Sequence, residues 1–147
     1  MGTSIEAYVE YDRTLWFDAG AVDIAPFSAV PDAIDLTRFT LFRSGKDYRF
    51  LGAISGIRNQ TNHEPLYRLR GLPSPMSSEA SCGLAKLFDP DYSGLGWLTL
   101  CEIERAVSHM GFVHDELSLE TNAILQMMTY LERQLGPDRV RLVFGVE

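Results

Sequence analysis

Asp89, Asp91 and Ser93, followed by Gly94, repeat the spacing of the first ligands and turn glycine of an EF-hand calcium loop. Such a loop needs a bidentate acid at its twelfth position, and that position is Leu100, with Glu102 two residues late. Gly96 stands where the loop normally places an apolar residue. These three residues are weak metal candidates, and the simpler reading of residues 84–111 is an Asp-rich turn ahead of a capped helix. His63, His109 and His114 form no HExxH pair, and no Cys/His cluster has zinc-site spacing. Walker, GxGxxG and GxSxG motifs are missing too, so hydrolase and dinucleotide chemistry lack their usual carriers.

The stronger lead is a basic stretch. Residues 38–70 hold seven bases and two acids, whereas residues 1–37 hold seven acids and one base and residues 71–147 hold eleven acids and five bases. Arg58, Arg68 and Arg70, with Asn59, His63 and Tyr67 nearby, offer planar forks of N–H donors that match a phosphate or carboxylate. In an acidic chain the same arginines also have many internal carboxylates to pair with, and both readings stay open. No cofactor is expected.

The elements that must position these residues follow from periodicity. Residues 5–12 alternate apolar and polar as a half-buried strand does, and residues 15–22 are expected to return as a hairpin. Residues 23–35, with Pro26 and Pro31, read as a surface loop, and residues 38–43 as a short strand. Phe50, Leu51, Ile54 and Ile57 have helical spacing after a Ser44 or Asp47 cap, and that helix ends near Gly56. Residues 58–77 are a long irregular connection, and residues 78–87 a short helix capped by Ser77 or Ser78. Thr99 and Glu102 form a capping box opening a helix that Gly111 stops. A further helix covers residues 119–135, turning Ile124, Met127, Met128, Leu131 and Leu135 inward. Residues 140–146 close on a strand expected inside the sheet beside the first. The sum is one α+β domain over residues 1–147, an antiparallel or mixed sheet covered by three to four helices.

The net charge of −7 disfavours direct binding to nucleic acid or anionic lipid. The opening MGTSIEAYVEYD is acidic where a secretory signal is basic and then apolar, so a cytoplasmic protein with free thiols at Cys82 and Cys101 is expected. No stretch approaches a membrane span.

Five segments, in order, carry a resemblance: IEAYVEY (5–11), GAISGIRN (52–59), RGLP (70–73), WLTLCEI (97–103) and VRLVFGV (140–146). Together they resemble a family of small uncharacterised proteins of bacteria and their phages. Family members often carry His-Ser or similar residues before the WLTL segment, where this chain has Tyr92-Ser93-Gly94-Leu95-Gly96. The resemblance implies a bacterial or phage accessory protein in which Arg58, Asn59, Arg70 and Gly71 match the motifs. The first expectation is therefore a non-enzymatic inhibitor or adaptor that binds a host or phage protein through an acidic surface. An anion- or nucleotide-binding protein using the arginine loop comes second, and an enzyme of unrecognised type third.

Overall fold

The computed structural model describes residues 5–12, 27–29, 47–57, 59, 61, 63–73, 76–84 and 94–146. Its elements are β1 (Ile5–Asp12), β2 (Phe27–Ala29), α1 (Tyr48–Ser55), α2 (Ser78–Leu84), β3 (Gly94–Thr99), α3 (Leu100–His109), a 3-10 turn (His114–Glu116), α4 (Leu119–Leu135) and β4 (Val140–Val146). The strands form one sheet in the order β2-β1-β4-β3, every neighbour antiparallel. The α+β expectation holds, and the closing strand lies beside the first.

β4 is buried along its whole length because it sits between β1 and β3 and is covered on both faces. Ala7, Val9, Leu98, Val140, Leu142, Phe144 and Val146 face the main core with residues from α1, α3 and α4. Tyr8 and Val143 point the other way, against Ala80 and Leu84 of α2. The helices thus cover both faces of the sheet, three on one and α2 on the other.

Two strands depart from the sequence reading. Residues 27–29 were expected in a surface loop, but they pair with β1 (Glu10 with Ala29, Asp12 with Phe27). A three-residue edge strand has no periodicity to read, and β1 supplies its hydrogen bonds. β3 occupies the second half of the calcium-like motif. A Cβ on Gly94 would lie 2.5 Å from the Val146 carbonyl oxygen and one on Gly96 2.9 Å from Phe144. These glycines permit close approach of β3 to β4, and low strand propensity conceals that role. The expected strands at 15–22 and 38–43 lie outside the described residues, as do residues 85–87 of the second helix.

The helix ends follow the capping rules. The Thr99 hydroxyl accepts from the Glu102 N–H at 3.3 Å, and Glu102 Oε1 accepts from the Thr99 N–H at 3.0 Å. α3 stops at Gly111, whose φ of 81° lets its N–H reach the Ser108 carbonyl while Phe112 N–H reaches that of Val107. Asp47 does more than cap α1. Its Oδ1 accepts from Phe50 N–H at 3.2 Å, while Oδ2 accepts from Ser118 N–H at 2.8 Å and the Thr121 hydroxyl at 2.6 Å. One buried carboxylate thereby joins the N-termini of α1 and α4.

Replacing Asp47 with Ala strands three donors, two of them at helix starts, and hydrogen bonds to a charged group contribute about 1.5–3 kcal/mol each way of counting. Urea unfolding of Asp47→Ala is expected to show a loss of about 2–4 kcal/mol, with an unchanged m-value. A loss under about 0.5 kcal/mol would contradict the bridging role.

Candidate functional site

The arginine stretch is built as a strap. In residues 64–70 exposure alternates: Pro65, Tyr67 and Leu69 are half-buried, whereas Glu64, Leu66, Arg68 and Arg70 face outward. Tyr67 and Leu69 pack on the main core. One end is held at the C-terminus of α3, where His109 Nε2 bonds the Glu64 carbonyl at 3.0 Å. The other is held by Gly71 N–H on the Leu95 carbonyl at 3.0 Å and by Arg70 on Glu102.

Arg70 is paired within the fold. Its Nη1 donates to Glu102 Oε1 at 2.8 Å and its Nη2 to Oε2, a bidentate pair. Its guanidinium also lies 4.7 Å from the Trp97 ring centroid and 5.3 Å from that of Tyr67. Behind Trp97, Arg141 lies 5.7 Å from the same ring and bonds the buried Glu10, with Nε to Oε1 at 2.8 Å. For Arg70 the internal-pairing reading is the one realised. Burial pushes the Glu102 carboxyl up, but hydrogen bonds from Arg70 and Thr99 outweigh it, and its pKa ends below the ordinary value. Arg70 is held more firmly protonated, chiefly by Glu102.

Of the other candidates, Arg58 lies outside the described residues. Asn59 is occupied by its own turn, its Oδ1 accepting from the Thr61 N–H and hydroxyl and its Nδ2 donating to the His63 carbonyl. The His63 ring is exposed, 6.0 Å from that of His109. Arg68 is exposed, and no ion pair to it occurs among the described residues. A cleft of about 190 Å³ is lined by Tyr48, Arg49, Asn59, Thr61 and Phe112. Arg49 there donates to the Glu116 carbonyl at 2.9 Å.

Asp89, Asp91 and Ser93 lie outside the described residues, which resume at Gly94. Gly94 pairs with Val146, and Leu100 at the twelfth position is a core side chain with no oxygen to offer. Among the described residues no group of three or more His, Cys, Asp and Glu side chains is placed to hold a metal. Cys82 and Cys101 are free and exposed. Cys101 and His109 stand at opposite ends of α3, roughly 12 Å apart by helical rise, so they form no dyad.

A different surface stands out, one the sequence reading did not single out. Among the described residues the exposed large hydrophobics are Leu66, Val113 (58% exposed), Leu119 (82%) and Tyr130 (63%), three of them within residues 113–130. On α4, Leu119, Ala123, Gln126 and Tyr130 form one uncharged stripe opposite the buried Thr121, Ile124, Leu125 and Met128. The turn before α4 contributes the exposed acids Asp115 and Glu116. Near the other end Glu104 and Glu132 line a cleft of about 280 Å³. Burial, then the charges of Asp138 and Glu104, raise the Glu132 pKa. A helical wheel of residues 119–130 would have shown this stripe.

The fold and this surface define a small antiparallel α+β domain with an acid-flanked apolar helix face. Comparison with protein-family models, curated proteins and solved structures finds no match. No helix among the described residues is long and apolar enough to cross a membrane.

The two perturbed glutamates act on stability with opposite signs. Glu102 titrates lower when folded, so its contribution is full above the ordinary carboxylate pKa of about 4.3 and is lost as pH falls through the lowered value. Glu132 titrates higher when folded, so its penalty is full above the raised value and is relieved as pH falls through it. Both sit near the surface, so each effect is expected below about 1 kcal/mol. Glu132→Gln should be more stable than wild type at pH 7 and lose that advantage on acidification, whereas the deficit of Arg70→Leu should shrink below pH about 4. Thermal melts from pH 3 to 8 measure both, and pH-independent differences would contradict the assignments.

Proposed function

We propose that this chain is a non-enzymatic protein-binding accessory protein of bacterial or phage origin, an inhibitor or adaptor. It docks through the outer face of α4 and the acidic turn before it. The observation that carries this reading is the grouping of Val113, Leu119 and Tyr130 on one stretch beside Asp115 and Glu116. An isolated exposed apolar residue is ordinary, but two large ones on one uncharged helix stripe, with a third shortly before the helix, favour an interface. Tyrosine is also among the residues that most often dominate binding energy. The complementary partner is a protein surface with an apolar centre and a basic rim. Its association is steered by charge and weakened by salt.

The anion-binding alternative has less support, because a clamp using both Arg68 and Arg70 must first break the Arg70–Glu102 pair. The origin rests on the sequence resemblance.

Pull-down with tagged protein at low and high salt, wild type beside Leu119→Asp and Tyr130→Asp, tests the reading. A stoichiometric protein partner should be captured at low salt and released at high salt. Each substitution should weaken capture at least about tenfold, corresponding to about 1.4 kcal/mol. Neither should alter stability by more than about 0.5 kcal/mol, since both sites are exposed. Undiminished capture by both variants, or loss only with Arg68→Glu, would contradict it.

A further inference from the structure

We propose that His63 and His109 form a surface site for a divalent late first-row transition cation, of the copper or zinc type, completed by water. The site is independent of the α4 face and of the protein-binding reading. The two imidazoles come from the start of the strap and the last turn of α3, 46 positions apart in sequence, yet their ring centroids stand 6.0 Å apart at an interplanar angle of 60°. A carbonyl oxygen only accepts, so His109 Nε2 must be the donor in its bond to Glu64. In the neutral ring that leaves the lone pair on Nδ1. A backbone carbonyl on one ring nitrogen is the outer-shell arrangement that orients histidines ligating through the other and raises their basicity.

The separation suits the task. With metal–nitrogen bonds of about 2.0–2.1 Å, two imidazoles on one tetrahedral cation have ring centres about 5 Å apart. The present spacing therefore closes by about 1 Å. His109 is held by its carbonyl bond, so the exposed His63 ring supplies the adjustment. The turn carrying it is braced: the His63 carbonyl accepts from Asn59 Nδ2 at 2.7 Å, and the His63 N–H donates to Thr61 Oγ1 at 3.2 Å. The neighbouring Glu64 side chain is exposed and adds a negative charge to the rim. Imidazole ligands suit copper, zinc and nickel, and the divalent series places copper tightest. His114 is the internal control, since it stands on the 3-10 turn with its Nδ1 3.4 Å from Asn122 Oδ1.

Cu(II) alone, titrated into the full chain at pH 7.5 and followed by imidazole NMR and EPR, tests the site. Substoichiometric metal should broaden the His63 and His109 ring signals together while leaving those of His114 sharp, with an EPR spectrum showing two nitrogen ligands. His63→Asn and His109→Asn should each weaken binding at least tenfold and His114→Asn should not. The wild-type NMR result does not depend on whether a variant folds. Equal broadening of all three histidines, broadening of only one of the pair, or wild-type affinity in His109→Asn would overturn the proposal.

Discussion

Glu10 is completely buried in a central strand, and a buried carboxylate is tolerable only when a cation and further donors surround it. Arg141 stands directly opposite in the β1–β4 ladder and bonds it through Nε and Nη2, while Ser77 N–H takes the second oxygen at 2.7 Å. Much else hangs on this pairing. A one-residue slip of β1 against β4 would turn Glu10 into the apolar face beneath α1, α3 and α4, so the ion pair and the alternation of Ala7 and Val9 enforce one register. The Ser77 bond fixes the approach to α2, whose Ala80 N–H is capped by the same serine's hydroxyl at 3.2 Å. Through the Trp97 ring the network continues from Arg141 to Arg70, then to Glu102 and the start of α3.

This chain of contacts settles what Arg70 and Arg141 contribute. Both interleave with one tryptophan and two glutamates, so of the arginines that look available for an external anion in the sequence, Arg70 is balanced inside the fold. The strap bearing Arg70 covers the outer edge of β3, which would otherwise present a bare row of backbone donors and acceptors. Among the described residues the two most exposed large hydrophobics, Leu119 and Tyr130, lie elsewhere, on α4.

Elements whose signals are local were legible in the sequence. The capping box at Thr99 and Glu102, the glycine stop at Gly111, the 119–135 helix and the apolar closing strand all appear where their residues place them, because short-range hydrogen bonds and continuous burial decide them. β3 was not legible, since Gly94 and Gly96 exist to fit Phe144 and Val146 rather than to favour an extended chain. β2 depends wholly on β1. The site was legible only in part. The choice between clamp and internal pair at Arg70 needed the position of Glu102, 32 residues away, and the approach of His63 to His109 exists only after the strap has folded onto α3.

The most direct test of this account is a double-mutant cycle on the central pair, with Glu10→Leu, Arg141→Met and the double variant compared by urea unfolding. Removing one partner leaves a buried unpaired charge, so each single variant should lose about 3–5 kcal/mol. The double variant should lose far less than the sum of the two, leaving a coupling above about 2 kcal/mol. Single losses below about 1 kcal/mol that simply add would show that the fold does not depend on the pair.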